Sequence, residues 1–347
     1  LSTLLTAKFV NRHFIVQTSI SGSPNFRYDQ GGDLLDHHVN AGTNAIDCRC
    51  QSDYRSLCKP AIYIQPTKLA NCLPIPKLPR VQFCLNTSTI KPQPLLSKIK
   101  LAGQAGYDGI ELWINDIYDH IGHGGEVADV EKSLADHGLI VPSVIAIRQW
   151  GDMDGWEYQL VKEEAKRRFA LGARLGAPYI VATPPLELAR QDHLPERYFD
   201  LLQIGREEGI KPTFEYISFF KSVYNLADAW RIVQETDDPD SSIILDAFHN
   251  WNSNSTLDDL RAIPLDKISH YHIDDADPDL PATTQKDPDR VMPGEGQIDL
   301  ASEIAVLKEK GYDKTMSLEL FNADIWVQDP LDVITEGLSC MKTLWQD

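Results

Sequence analysis

The chain has 347 residues, of which 42% are hydrophobic and 24% charged, the balance of a chain that packs a sizeable core. No apolar run approaches the roughly 18 to 20 residues that cross a bilayer, so no membrane-spanning helix is expected. With 33 Lys+Arg against 51 Asp+Glu the net charge is -18, a field that repels phosphate backbones and anionic lipid, and neither nucleic acid nor membrane is an expected partner.

That charge is unevenly placed. Residues 1–80 hold nine basic and five acidic residues with no Glu, a net of +4, whereas 81–347 hold 24 basic and 46 acidic residues, a net of -22. Four of the six cysteines (Cys48, Cys50, Cys58, Cys72) lie in the first part. Their C-x-C-x7-C-x13-C spacing lacks the paired C-x2-C that places thiolates around zinc, so they read as unpaired thiols. Residues 1–80 are therefore expected to be an N-terminal extension unrelated to the main domain: disordered, a leader, or the product of a misassigned start. Pro74, Pro76 and Pro79 form the linker into the domain at 81–347.

From residue 81 onward, short apolar runs alternate with amphipathic stretches. Strands are predicted at 81–86, 109–114, 140–147, 179–183, 213–216, 242–246, 268–273 and 315–320. Helices are predicted between them, among others at 95–105, 127–137, 156–175, 196–208, 226–235 and 300–310, several ending at a glycine suited to a left-handed cap (Gly106, Gly138, Gly176, Gly209, Gly311). Eight β-α units in a domain of this size point to an α/β fold, the (β/α)8 TIM barrel. A doubly wound sheet is the rival, but the first strand runs into Asn86-Thr87-Ser88-Thr89 with no glycine for a phosphate loop.

In such a barrel the chemistry sits at the carboxyl ends of the strands. Four consecutive strands end in a carboxylate or imidazole: Glu215, Asp246, His272 and Glu319. A single acid there is an ordinary helix cap or ion pair. Three carboxylates and an imidazole converging in one mouth call for a cation between them, and the set suits Mn²⁺, Mg²⁺, Co²⁺ or Zn²⁺.

The run Glu215, Asp246-x-x-His249, His272-x-Asp-Asp, Arg290-x-x-Pro293-Gly-x-Gly296, Glu319-Leu-Phe-Asn resembles the xylose-isomerase-like barrel superfamily of sugar isomerases and epimerases, and within it is most similar to inosose (2-keto-myo-inositol) isomerases. The likeness spans 81 to about 345 and leaves 1–80 unmatched. It implies one divalent metal ion held by Glu215, Asp246, His272 and Glu319, with His249 and Arg290 holding substrate hydroxyls. The implied activity is isomerisation or epimerisation of a keto-inositol or sugar by proton transfer through a metal-stabilised ene-diolate, in carbohydrate metabolism and inositol catabolism. Glu215 and Glu319 are then the acid and base. The third strand's Ala146-Ile147-Arg148-Gln149-Trp150 matches no substrate signature.

Each assignment has a plainer counterpart. His249 reads also as a loop cap, and Arg290 as an ion-pair partner of the acidic loop at 274–289. Glu111 lines the pocket as a substrate-binding residue or is an acid paired inside the barrel, and His270 lies one layer below His272, in packing or a supporting bond. Of the aromatics near strand ends, Trp113, Phe248 and Phe321 among them, some are expected to wall the pocket. The expected partners are a small polyol or keto-sugar and a second copy of the chain in a homo-oligomer, and the expected location is cytoplasmic. A dehydratase of the inosose or 3-dehydroshikimate type would use the same proton removal, and a non-catalytic polyol-binding barrel is the alternative of another class. An abasic-site endonuclease would need a basic face that this domain lacks.

Overall fold

The computed structural model describes residues 4–10, 13–19, 80–187 and 191–346. Leu4–Val10 and His13–Ser19 pair as an antiparallel ribbon. The other expectations for residues 1–80, including those for Cys48, Cys50, Cys58 and Cys72, fall outside the described residues.

Eight strands then alternate with helices: β1 Gln82–Asn86, β2 Gly109–Trp113, β3 Ser143–Ile147, β4 Tyr179–Ala182, β5 Lys211–Phe214, β6 Ile243–Asp246, β7 Ile268–Ile273 and β8 Thr315–Leu318. Each pairs in parallel with its chain neighbour, and β8 closes the ring on β1 with Met316 opposite Phe83 and Leu318 opposite Leu85. The predicted TIM barrel is therefore the fold. The third strand starts later than expected because Pro142 has no N–H for a ladder, and Ile140 keeps only an isolated bridge to Gly109. The fifth ends at Phe214, which places Glu215 immediately beyond the strand, at the mouth.

Around the ring lie α1 Leu95–Ala105, α2 Ile114–Gly122, α3 Val127–His137, α4 Gly155–Arg174, α5 Leu194–Glu208, α6 Leu226–Glu235, α7 Ala247–Asn252, α8 Leu257–Ala262, α9 Leu300–Glu309, α10 Ala323–Trp326 and α11 Pro330–Gln346. The apolar stripe of α6 (Leu226, Ala229, Ile232, Val233) is buried, as is that of α11 (Val333, Ile334, Leu338, Met341). Each fully buried Leu or Ile stabilises the fold by about 1.5–3 kcal/mol. All five glycines expected to cap helices have left-handed φ, as at Gly209, whose N–H bonds Gly205 O at 2.8 Å. Gly337 serves a different need, since a Cβ there would meet Leu318 Cδ2 at 2.2 Å, so its absence lets α11 lie against β8.

Inside the ring, Ile145, Ala146, Val181 and Ile244 form a separate apolar layer on which Trp113 packs. This plug fills the barrel below the mouth and leaves the strand ends as the place for chemistry. None of the described helices is long and apolar enough to cross a membrane.

Candidate metal centre

Asp246 ends β6 and is also the N-cap of α7. Its Oδ1 accepts the His249 N–H at 2.8 Å, so the cap and the site share one carboxylate. The other oxygen, Oδ2, faces His272 Nδ1 at 3.7 Å and accepts from Arg290 Nη1 at 3.0 Å. Burial acts to raise the Asp246 pKa, but Arg290, His249 and His272 together hold it well below the usual carboxylate range.

His272, on β7, is held from below. Its Nε2 lies 2.8 Å from Glu111 Oε2. A carboxylate only accepts, so that nitrogen carries a hydrogen and Nδ1 is the one turned to the mouth. Nδ1 is buried and makes no hydrogen bond, although Glu319 Oε2 stands 3.1 Å away at an unfavourable angle. Burial opposes the imidazolium, yet Glu111 and Glu319 outweigh it and raise the His272 pKa well above its ordinary value.

Glu111 is completely buried in the middle of β2 and engaged at both oxygens. Oε1 accepts from Ser143 Oγ and lies 2.8 Å from His270 Nε2, while Oε2 meets His272 and, at 3.4 Å, Asn86 Nδ2. Burial would raise its pKa, but His272 and His270 hold it well below the ordinary value. Glu111 is thus paired within the barrel, the plainer of its two readings. His270 lies where its strand parity places it, beneath His272 with the ring centres 5.2 Å apart.

Glu319 follows β8. Its Oε1 accepts from Asn86 Nδ2 at 2.7 Å, and Oε2 takes a longer contact of 3.3 Å from Arg290 Nη1. Asn86 is a member of the site that the sequence reading did not single out. Its Oδ1 receives both Ser88 N–H and Trp113 Nε1 at 3.0 Å, so the side chain is fixed at both ends. Glu215 faces the same space from β5, bonded to Thr183, and burial together with the opposed Glu319 pushes its carboxyl up to about 8.

Arg290 is the hub of the arrangement and only 1% exposed. Besides Asp246 and Glu319, its guanidinium bonds Asp274, Asp287 Oδ1 at 2.9 Å and His249 Nε2 at 3.1 Å, between the rings of Phe248 and Phe321. It was expected to hold substrate hydroxyls, with an ion pair to the acidic loop as the plain alternative; the structure gives it the ion pairs. His249, likewise buried, bonds Ser218 Oγ through Nδ1 at 3.1 Å, and burial lowers its pKa to about 4.

The Asp-Asp and Gly-containing halves of the motif are also explained. Asp275 Oδ1 accepts from Ala276 and Ile298 N–H, and Oδ2 from Gly294 N–H, so the loop after Arg290 wraps one carboxylate. At Gly296 a Cβ would strike Ala276 O at 2.1 Å, which is why glycine stands there.

Single ligand atoms of Asp246, His272 and Glu319 lie within 4.8 Å of one another. An orphaned buried imidazole nitrogen turned toward two carboxylates is the arrangement a divalent ion completes, and Arg290 offsets the remaining negative charge. A second trio, Glu111, His270 and His272, gathers below, with Glu111 2.8 Å from each ring and neither nitrogen of His270 in a hydrogen bond. Two clefts of about 410 and 330 Å³ flank the end of β3, and Thr183, the partner of Glu215, lines the smaller one.

Residues 99–344 match the family model described as the xylose isomerase-like TIM barrel. An inosose isomerase of Bacillus velezensis is 26% identical over 254 residues, covering 71% of this chain and 90% of its own. A 3-dehydroshikimate dehydratase of Pseudomonas putida is 26% identical over 234 residues, covering 66% of this chain and 36% of its own length. Among solved structures, the IOLI protein with a bound zinc atom superposes with a TM-score of 0.72 at 24% identity, covering 77% of this chain and 98% of that one. A D-allulose 3-epimerase from Methylomonas sp. gives 0.62 at 17% identity, with 76% and 98% covered. With the family model matching well over half of the chain, from within α1 to within α11, the chain belongs to the xylose isomerase-like TIM barrel family.

Proposed function

We propose that the barrel is a divalent-metal-dependent isomerase or epimerase acting on a keto-inositol or a keto-sugar of similar size. The observation that carries this is the unpartnered His272 Nδ1 set against Asp246 and Glu319. Glu215 is not among the three residues whose ligand atoms converge, and what ties it to them is the charge of Glu319, His272 and Asp246 felt at its carboxyl. The relatives named inosose isomerase support the substrate class.

In this reading Glu215, Asp246, His272 and Glu319 hold the ion. When bound, the ion supplies Lewis-acid polarisation of the substrate carbonyl and takes up the negative charge that develops there. Glu215 and Glu319 follow β5 and β8, three strands apart in the ring, and the charge of Glu319 is felt at Glu215. One removes the proton from the carbon next to the carbonyl; the other delivers a proton to the former carbonyl carbon in isomerisation, the hydroxyl proton passing to the old carbonyl oxygen, or to the opposite face of the same carbon in epimerisation, each carbon proton transfer worth about 10²–10⁴ in rate. Asn86 fixes Glu319 Oε1, which leaves Oε2 for the mouth. Arg290 and His249 act through the ligands: they keep Asp246 ionised and oriented rather than touching substrate.

A dehydratase begins with the same proton removal, and the similarity to a 3-dehydroshikimate dehydratase favours it as the second reading. Incubation of the Mn²⁺-loaded protein with 2-keto-myo-inositol in D₂O separates the readings. Deuterium uptake with no new ultraviolet band is the result expected. A conjugated enone band marks dehydration, and binding of a polyol with no exchange marks a non-catalytic barrel.

A further inference from the structure

The turn that follows β1 carries three hydroxyls in a row, Thr87, Ser88 and Thr89. Thr89 Oγ1 donates to Leu318 O at 3.0 Å and accepts from Leu320 N–H at 3.1 Å, so it ties the turn to the end of β8. Thr87 Oγ1 and Ser88 Oγ are equally deep, their residues 0% and 2% exposed, yet neither oxygen has a hydrogen-bond partner. The backbone that carries them is held in place: Ser88 N–H donates to Asn86 Oδ1 at 3.0 Å, and Ser88 O accepts from Trp326 Nε1 at 2.9 Å. A buried hydroxyl left unpaired is costly, and two of them on a pinned turn call for a partner that the chain does not supply.

Both residues line a cleft of about 160 Å³ walled by the rings of Trp113 and Phe321, which stand edge to face with their centres 5.9 Å apart. Lys98 of α1 lines it too. Its buried ammonium has three hydrogens and one partner, Asp116 Oδ2 at 2.7 Å, so donors remain while the charge is already offset. On the exposed side Lys91 rests on the Trp326 ring, 5.4 Å from its centre. The cleft and the metal centre share their walls. Thr87 follows Asn86, whose Nδ2 holds Glu319 Oε1, and Trp113 donates to the same Asn86. Phe321 lies two residues beyond Glu319 and carries the Arg290 guanidinium over its ring.

A vicinal diol answers each of these features. Every hydroxyl of a polyol both donates and accepts, which is what Thr87 and Ser88 each lack, and the spare hydrogens of Lys98 suit a neutral oxygen because Asp116 has taken up the charge. The aromatic walls suit the C–H faces of the same molecule. We propose that Thr87 and Ser88, beside the Lys98–Asp116 pair, form a subsite for two neighbouring hydroxyls of the substrate remote from its carbonyl. The carbonyl end then lies at the metal centre and the far edge of the neutral polyol in this cleft. This rests on the reading of the barrel as a keto-polyol enzyme and assigns the residues that select that substrate's hydroxyls.

The test uses the full chain loaded with Mn²⁺ and titrated calorimetrically with myo-inositol, which has the hydroxyls but no carbonyl, and with acetohydroxamate, a small metal chelator with no polyol edge. Ser88→Ala and Thr87→Val remove only unpartnered oxygens. Each should weaken myo-inositol by about three- to tenfold and leave acetohydroxamate affinity and the thermal midpoint as in wild type. Among the deoxyinositols, at least one should bind wild type as weakly as Ser88→Ala binds myo-inositol, and should lose nothing further in that variant. No binding of myo-inositol by wild type, unchanged affinity in both variants, or chelator affinity that falls in step with it overturns the proposal. Solvent-deuterium exchange into 2-keto-myo-inositol, run in parallel, keeps the two readings apart. Exchange by wild type with inositol affinity unmoved in the variants retires the subsite alone. Inositol affinity that depends on the two hydroxyls without any exchange retires the enzyme reading and leaves the polyol subsite standing.

Discussion

Glu111 Oε2 and His272 Nε2 meet 2.8 Å apart, in full burial, and this contact decides which imidazole nitrogen faces the mouth. With the hydrogen on Nε2, the lone pair of the neutral ring lies on Nδ1, beside Glu319 and Asp246. Glu111→Gln should therefore weaken divalent-ion affinity by about 10- to 100-fold without abolishing the site, because an amide can present its N–H to the ring and favour the wrong tautomer. Titration of the metal-free variant with Mn²⁺ or Zn²⁺ checks this, and an unchanged dissociation constant would remove Glu111 from its supporting role.

Arg290 carries a prediction about stability. Its guanidinium bonds Asp246, Asp274, Asp287 and Glu319, of which all but Asp287 are almost fully buried. Arg290→Met keeps much of the volume but leaves these acids to repel one another, and should cost on the order of 3–5 kcal/mol. Denaturant unfolding of the metal-free proteins measures it, and a loss below about 1 kcal/mol would show that the acids find another partner.

Glu303 on α9 lies behind the strands, its Oε2 accepting from Tyr271 OH at 2.9 Å and Asn250 Nδ2 at 3.2 Å. Burial pushes its carboxyl up to about 7 from an ordinary 4.5. Between those values the folded protein keeps a proton that the unfolded chain has released, so this group's contribution falls as pH rises from about 4.5 through about 7. Across that window the loss is on the order of 3 kcal/mol. Glu303→Gln does not titrate and should flatten the dependence. Unfolding curves of both proteins at pH 5 and pH 8 give the comparison, and parallel pH slopes would contradict the shifted carboxyl.

The barrel was legible because each strand is a short apolar run that needs no knowledge of its partners, and because the glycines that end helices mark their own boundaries. Errors fell where a backbone rule cut across hydrophobicity, as at Pro142, which delays β3 to Ser143. The four acids and imidazoles at strand ends were readable for a similar reason: parity and position along a strand are local. Asn86 was missed because nothing near it in sequence distinguishes a strand-end asparagine, and its partner Glu319 is 233 positions away. For Arg290, the motif located the residue, but only the assembled barrel shows the guanidinium enclosed by acids and two aromatic rings.

In the proposed reaction Glu319 moves a proton at a metal-dependent site, and solvent-deuterium incorporation by Glu319→Gln tests this most directly. The change is nearly isosteric and keeps an oxygen for the ion, but the amide cannot accept the proton. With metal content measured and matched to wild type, exchange from D₂O into 2-keto-myo-inositol should fall by about 10² or more while the ketone still binds. A metal-replete Glu319→Gln protein that exchanges deuterium at most of the wild-type rate would contradict the account and confine Glu319 to holding the ion.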